Sequence, residues 1–256
     1  MKNPVTAALT GSLLVWALFT ACEKKNDDFT SNLVNEYMHL QPGKYIRYIL
    51  DSTRYVDFGQ RDTVISYQAK DVVEDTFTDG ANRTSYRVVR YLRDVNSTNE
   101  EDWTPNIIYS VTPFREAIEV NEENFRFIKL SLPILEGRSW RGNGYLPANP
   151  YKDLYEFSND EDMGTWEYTY QDVGATLNLN NTNYEHTISV LQIADSVNVG
   201  VPNAAASKSY WVEKYARNIG LVYKEVVMWE YQPPNPPTTQ GYKHGFGIRM
   251  TILDHN

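Results

Sequence analysis

Short runs of alternating apolar and polar residues recur along most of the chain, with turn residues between them. These runs are rich in β-branched and aromatic side chains, which favour strands. They cover residues 45–52, 63–70, 85–93, 107–112, 117–120, 125–130, 166–172, 184–194, 209–215, 220–231 and 246–253. Asp79-Gly80 and residues 121–124 separate neighbouring runs with the residue types of hairpin turns. The pattern predicts an all-β domain built as an antiparallel meander.

Helical patterns are almost absent. Beyond the N-terminal apolar segment, no stretch keeps an apolar period of 3.6 residues over three turns, and residues 31–38 form at most a short helix. The inward side chains can be buried in a sandwich of two sheets or in one strongly curved, partly closed barrel. The hydrophobic periodicity does not distinguish between the sandwich and the barrel. Long loops are predicted at residues 96–105, 137–162, 178–183, 200–208 and 232–244, the last with four prolines that favour an extended arm.

The N-terminus has the layout of a secretory signal. Lys2 is followed by a mostly apolar stretch over residues 4–19 and then by Thr20 and Ala21. Thr6 and residues 10–12 interrupt the stretch, and a membrane-spanning helix needs about 20 apolar residues in a row. We therefore predict a signal peptide that is cleaved after residue 21.

Cys22 directly follows the small residues and is the only cysteine in the chain. This arrangement resembles the lipobox of bacterial lipoproteins, which implies that Cys22 becomes lipidated and attaches the protein to a membrane. The alternative is that Cys22 is a buried small apolar residue. Residues 22–32 are mostly polar and predict a flexible tether, and residues 33–256 predict a single β domain.

Three further stretches extend the resemblance. The charged residues after Cys22 resemble the export signal of surface lipoproteins of the Bacteroidota, which implies the outer membrane and favours the cell surface over its periplasmic face. Residues 37–52, with Pro42-Gly43 before the first strand, and residues 211–225, with a Gly-Leu-Val strand, are similar to a group of uncharacterised Bacteroidota lipoproteins. That resemblance implies no known activity.

The charge limits the classes of partner, and the cysteine content limits what can stabilise the domain. The formal net charge is -9, and it becomes about -10 when Lys2 is lost with the signal. Phosphate binding needs clustered Lys and Arg, so the composition argues against a nucleic-acid partner. With Cys22 used for attachment, the domain has no disulfide and is held together by packing.

No residue pattern predicts catalysis, a metal site or a cofactor. His39, His186, His244 and His255 lack the spacing of metal ligands, and the acidic residues 160–162 lack that of a calcium loop and predict a solvated segment. Nucleophile elbows, phosphate-binding glycine loops and dinucleotide motifs are missing from the sequence. The sequence does not decide whether two carboxylates come together for glycoside hydrolysis, because such residues lie far apart in sequence. We therefore identify no catalytic residue and lean against an enzyme.

Aromatic residues are the compositional feature with functional promise. The chain has 19 Tyr and 6 Trp, which supply large amphipathic contact surfaces. Trp103, Trp140, Tyr145 and Tyr151 lie in predicted loops and are candidate ligand-binding residues for a glycan, peptide or protein partner. For the aromatic residues in predicted strands, the alternative is simple packing between strands.

Three sites resemble the Asp-Ser/Thr acceptor pattern of O-glycosylation in exported Bacteroidota proteins. Their acceptor residues are Ser52, Thr63 and Ser196, each preceded by an aspartate. The resemblance implies that all three lie exposed at strand ends.

Taken together, the sequence predicts a lipid-anchored outer-membrane lipoprotein that acts as a non-catalytic binding or protein-interaction module. Its partners are the membrane and a protein or glycan. The alternative is a carrier or chaperone that holds a lipid or other apolar ligand in the cavity of a curved sheet. A hydrolase is the third hypothesis.

Overall fold

The computed structural model describes residues 34–114, 116–235 and 239–256. The strands are β1 Tyr45–Val56, β2 Arg61–Thr78, β3 Thr84–Asp94, β4 Thr104–Phe114, β5 Ala117–Glu122, β6 Phe125–Ser131, β7 Ser139–Arg141, β8 Glu167–Leu179, β9 Thr182–Val197, β10 Ala206–Ala216, β11 Gly220–Gln232 and β12 Tyr242–His255. Within these ranges the only helical segments are short 3-10 turns, Val34–Tyr37, Glu100–Asp102 and Met163–Thr165. The predicted signal peptide, Cys22 and the tether lie outside the described residues.

All strands belong to one 12-stranded antiparallel sheet that nearly closes into a barrel. Their order across the sheet is β6-β5-β4-β3-β2-β1-β12-β11-β10-β9-β8-β7. The first half of the chain therefore builds the sheet outwards from its centre to one edge. The second half returns from the other edge to the centre, where β12 pairs with β1. The all-β antiparallel prediction is confirmed, and of the two predicted architectures the structure is the curved barrel.

The two sheet edges meet at a seam between β6 and β7. The Ile128 N–H donates to the Gly142 carbonyl at 2.8 Å, and the Trp140 indole donates to the Ile128 carbonyl at 2.8 Å. The Tyr170 hydroxyl both accepts a hydrogen bond from the Ser131 N–H at 2.9 Å and donates one to the Ser131 carbonyl at 3.0 Å. The backbone N–H and carbonyl groups of Ile128 and Ser131, at the edge of the sheet, thus have hydrogen-bond partners across the seam.

The alternation along β1 shows why the sheet curves around a core. Tyr48 and Leu50 are buried and face the barrel interior, whereas Asp51 lies on the outer side and accepts from Arg249 of the neighbouring strand at 2.6 Å. Successive side chains of a strand point to opposite faces. Apolar positions therefore fill the interior while charged residues on the outer wall pair across strands.

A 3-10 segment closes one end of the barrel. Val34 and Tyr37 are buried in a cluster with residues of several strands, including Val73, Val111 and Tyr215. The Asn218 N–H donates to the Glu36 carbonyl at 2.6 Å and so fixes the segment to the β10–β11 turn. This end is covered by the chain that enters β1.

Two loop predictions need correction. Residues 178–183 were predicted as a long loop, but β8 continues to Leu179 and β9 begins at Thr182. Asn180 and Asn181 have φ values of 51° and 65°, and asparagine tolerates this left-handed conformation, so two residues make the turn. The predicted loop at residues 137–162 contains β7, which at three residues is too short to show an alternation.

Within the ranges that the structure describes, no helix has the length and apolar character needed to span a bilayer.

Candidate ligand-binding cavity in the barrel

The barrel interior holds two cavities separated by charged side chains. The inner cavity has a volume of about 100 Å³ and lies next to the 3-10 segment that closes the barrel. The outer cavity has a volume of about 480 Å³. Arg90, Glu122, Lys129 and Lys224 line both cavities. Together with Asp71 and Glu213, which line the inner cavity, we call these residues the charged layer.

One half of the charged layer is built on a bidentate ion pair. The Arg90 guanidinium donates to both carboxylate oxygens of Asp71, at 2.6 and 2.7 Å, and the Tyr109 hydroxyl donates to Asp71 Oδ2 at 2.9 Å. Both charged side chains are buried. Burial alone would lower the pKa of Arg90, but the adjacent Asp71 carboxylate outweighs it and raises that pKa. Arg90 therefore stays charged and rigidly held.

The other half centres on Glu213. Lys129 Nζ donates to Glu213 Oε1 at 2.8 Å, and the Tyr215 hydroxyl donates to Oε2 at 2.7 Å. Lys224 Nζ lies 3.7 Å from Oε1. Burial raises the pKa of Glu213, but Lys129, Lys224 and the Tyr215 hydroxyl oppose it and lower the pKa to about 2. Glu213 is thus an ionised carboxylate that neutralises the buried Lys129 ammonium and the partly buried Lys224 ammonium.

Glu122 is the least engaged member of the layer. Its Oε1 lies 3.7 Å from the Arg90 guanidinium, and no side chain in the described ranges donates a hydrogen bond to it. Burial raises the pKa of Glu122, but the nearby Lys224, Arg90 and Lys129 outweigh burial and lower it. The carboxylate is therefore held by charge rather than by a hydrogen bond.

The outer cavity has mainly apolar and aromatic walls. They are formed by Leu50, Tyr67, Leu92, Ile107, Phe127, Tyr151, Leu154, Tyr155, Trp211, Val226, Phe246 and Ile248. The Tyr151 and Tyr155 rings each lie 5.3 Å from the Phe246 ring, between centroids, so the aromatic wall is continuous. A volume of 480 Å³ falls within the range of about 300–1,000 Å³ that is typical of small-molecule sites. Near Arg54 and Tyr55 the space continues into a further cavity of about 450 Å³.

The four aromatic residues singled out in the sequence lie in different environments. Tyr151 lines the outer cavity. Trp103 lies under the Arg93 guanidinium, 4.2 Å from the ring centroid, and Trp140 is half-buried at the seam. Tyr145 is 57% exposed, with the Arg126 guanidinium 4.0 Å from its ring centroid. Of the four, Tyr151 is the one that lines any of the three cavities described above.

The candidate glycosylation residues also differ in exposure. Ser52 is half-buried and lines the outer cavity, Thr63 of β2 is half-buried, and Ser196 of β9 is exposed. Cys22, the candidate lipidation residue, lies outside the described residues.

The acidic segment 160–162 is not entirely a solvated loop. Asp160 is fully buried, and its Oδ2 accepts a hydrogen bond from the Tyr151 N–H at 2.9 Å. This hydrogen bond connects the acidic segment to Tyr151, one of the residues that line the outer cavity. In the part of the chain that the structure describes, no three His, Cys, Asp or Glu side chains form a group that could hold a metal ion.

Sequence reasoning missed the charged layer, although the strands carry a signal for it. Arg90 stands two residues from Val88 and from Leu92, at a position in β3 where alternation calls for an inward side chain. Glu213 and Lys224 occupy the same phase between apolar or aromatic neighbours in β10 and β11. A charge in the inward phase of several strands indicates a polar barrel interior.

Comparison with known proteins assigns no family. Neither a protein-family model nor a curated protein matches the sequence. A solved structure from Bacteroides fragilis, described as an exported protein with a YmcC-like fold, matches 84% of this chain and 97% of its own at 10% identity and a TM-score of 0.30. LprF from Mycobacterium bovis matches 87% of this chain and 90% of its own at 8% identity and a TM-score of 0.25. The functional conclusion therefore depends on the cavity itself.

Proposed function

We propose that this protein is a non-catalytic binding protein that holds a lipid or another apolar or amphipathic ligand in the outer cavity of its barrel. The observation that carries the proposal is a cavity of about 480 Å³ with apolar and aromatic walls inside a nearly closed sheet. Burial of apolar ligand surface stabilises a complex by about 0.8 kcal/mol for each methylene group. A chain of several methylenes in this cavity therefore gains several kcal/mol from burial, which favours binding.

Of the two binding hypotheses, the carrier of an apolar ligand agrees better with the positions of the aromatic residues than the interaction module does. The interaction module depended on an exposed cluster of loop aromatics, but Trp103 and Tyr145 engage cationic side chains of their own barrel wall. Trp140 donates to the Ile128 carbonyl at the seam, and Tyr151 contributes to the cavity wall. The aromatic residues thus support a ligand held within the barrel.

Membrane attachment belongs to the same proposal. The signal-like segment and Cys22 support a lipid anchor at the outer membrane, with residues 22–32 as a tether and the cell surface as the favoured face. A binding protein at this location exchanges its ligand with a membrane or with the medium.

The carboxylates of the cavity do not favour a hydrolase. Glycoside hydrolysis needs a carboxylic acid with a raised pKa beside an ionised carboxylate. At Glu122 and Glu213 the surrounding cations outweigh burial and lower the pKa of both groups. Two ionised, charge-balanced carboxylates fit a binding role better than acid catalysis.

The direct test fills the cavity by mutation. Ser52 lines the outer cavity, so Ser52→Phe places a ring where the ligand chain would lie. The ring occupies the space of the ligand chain, and we expect the affinity for the neutral amphiphile monolauroylglycerol to fall by about tenfold or more, which corresponds to about 1.4 kcal/mol or more. Calorimetric titration of the full chain carrying Cys22→Ala, which has no acyl attachment site, measures this.

Ile49→Phe is the matched control, because Ile49 is on the same strand in the opposite phase and lines neither cavity. The proposal requires that this variant binds monolauroylglycerol like the parent chain. Binding that is equally strong in both variants and the parent, or no binding by any of them, contradicts it.

A further inference from the structure

We propose that the ligand is an anionic amphiphile whose head group binds Lys224 at the charged layer, with its apolar chain directed towards the exposed Arg54, and we call that end of the cavity its mouth. This inference rests on the proposed function and adds the chemical class and the orientation of the ligand. Three observations support it: the charge of the cavity wall, the N–H groups of Lys224 that have no acceptor in the described ranges, and the order of side chains along the strands.

The wall of the outer cavity is cationic although the protein is acidic. Its charged residues are four cations, Arg54, Arg90, Lys129 and Lys224, and two carboxylates, Glu122 and Glu123. The whole chain has a formal net charge of -9. Asp71 and Glu213, which balance the layer, line the inner cavity and not the outer one. The layer therefore presents an excess of positive charge towards the outer cavity.

Lys224 is the cation with capacity for a ligand. Its Nζ lies 3.7 Å from Glu213, beyond hydrogen-bond distance, and no acceptor in the described ranges takes a hydrogen bond from it. The two oxygens of Glu213 are already occupied by Lys129 at 2.8 Å and the Tyr215 hydroxyl at 2.7 Å. The Lys224 side chain is only 16% exposed. A largely buried ammonium has three hydrogens to donate, and a carboxylate or phosphate oxygen would accept one or more of them.

The other cations are less suited to hold the head group. Arg90 makes two hydrogen bonds to Asp71, and Lys129 makes one to Glu213. Glu122 opposes an anionic ligand, because its carboxylate faces the same cavity without a hydrogen bond of its own. Lys224 and Glu122 are thus expected to affect the affinity for an anion in opposite directions.

The order of side chains along the strands gives the orientation. Leu50 pairs with Met250, and Met250 pairs with Lys224, so these residues share one level of the sheet. Arg54 lies four residues further along β1, which corresponds to about 13 Å of strand. Between these levels the wall includes the apolar Ile248 and Val226 beside Ser52, and the Phe246 ring lies at the level of Arg54. A head group at Lys224 leaves this apolar length for the chain.

The test compares three amphiphiles with the same chain length: dodecanoate, monolauroylglycerol and dodecyltrimethylammonium. We expect calorimetric titration of the full Cys22→Ala chain at neutral pH to show dodecanoate binding about tenfold tighter than monolauroylglycerol, and the cationic probe binding weakest. Equal affinities for the three probes overturn the inference and leave the proposed function standing. Failure of all three to bind overturns both.

Variants then locate the head group. In Lys224→Met we expect the ratio of dodecanoate to monolauroylglycerol affinity to fall by about tenfold, and in Glu122→Gln we expect that ratio to rise. Lys214→Met is the control, since Lys214 lies on the neighbouring strand β10 and lines neither cavity. A ratio that responds to Arg54→Met but not to Lys224→Met places the head group at the mouth and overturns the proposed orientation.

Discussion

The variant Glu213→Gln is expected to lower the free energy of unfolding by about 3–5 kcal/mol, because it leaves the buried Lys129 ammonium without its carboxylate and removes the counter-charge of the partly buried Lys224. Lys129 and Glu213 are both buried, with exposed fractions of 6% and 3%. Lys224 shares the same carboxylate from 3.7 Å. Chemical denaturation of the parent and the variant measures the difference.

Two further variants separate this effect from a general sensitivity of the barrel to mutation. The double variant Glu213→Gln with Lys129→Met removes both charges of the closest pair and should regain part of the lost stability, because only the partly buried Lys224 then lacks a counter-charge. Glu225→Gln alters a carboxylate that lines neither the inner nor the outer cavity and that, among the described residues, accepts a side-chain hydrogen bond from the Tyr223 hydroxyl alone, at 2.9 Å. A Glu213→Gln loss no larger than that of Glu225→Gln contradicts the role of the charged layer.

The difference in stability between the parent and Glu213→Gln is expected to depend on pH. The pKa of Glu213 is lowered from 4.5 to about 2 in the folded protein, so its contribution is fully present above the unfolded value and is lost as pH falls through the folded one. The stability difference between the parent and Glu213→Gln should be constant near neutral pH and narrow from pH 4.5 towards pH 2. A difference that stays constant through this acidic window contradicts an ionised, stabilising Glu213.

Replacing Cys22 with Ala is expected to abolish lipid attachment. Cys22 is the only cysteine, and stable anchoring needs more than one acyl chain, which a lipobox cysteine receives. In the native host, incorporation of radiolabelled palmitate should fall to background and the protein should leave the membrane fraction. Lys25→Ala, which changes the tether but keeps the cysteine, should retain the label. Equal labelling of parent and Cys22→Ala contradicts the anchor.

The strands could be predicted from sequence because their cause is local. An alternation such as that of residues 45–52 follows from one buried and one exposed face, and it recurs in each long strand. Whether the sheet folds over a second sheet or onto itself could not be predicted, since both place the same positions inside. The closure depends on contacts between distant residues, such as Tyr170 with Ser131 across the seam.

The candidate site was harder to predict because its residues come from six strands. Asp71 and Arg90 pair across neighbouring strands, but Lys129 and Glu213 meet only because the barrel brings β6 opposite β10. Each charge by itself is indistinguishable from one on a solvated face. Its place in the inward phase was the available signal, whereas emphasis on loop aromatics led to Trp103 and Tyr145, which line none of the three cavities described above.

Fluorescence quenching by a dodecanoate chain that carries bromine atoms tests ligand binding inside the barrel most directly. Trp211 lines the outer cavity, and Trp103 lies on the barrel wall with Arg93 against its ring. The expected result is saturable quenching in the parent chain that largely disappears in Trp211→Phe and persists in Trp103→Phe. Quenching that persists in Trp211→Phe and disappears in Trp103→Phe would show that the ligand binds outside the cavity and would contradict the proposed function.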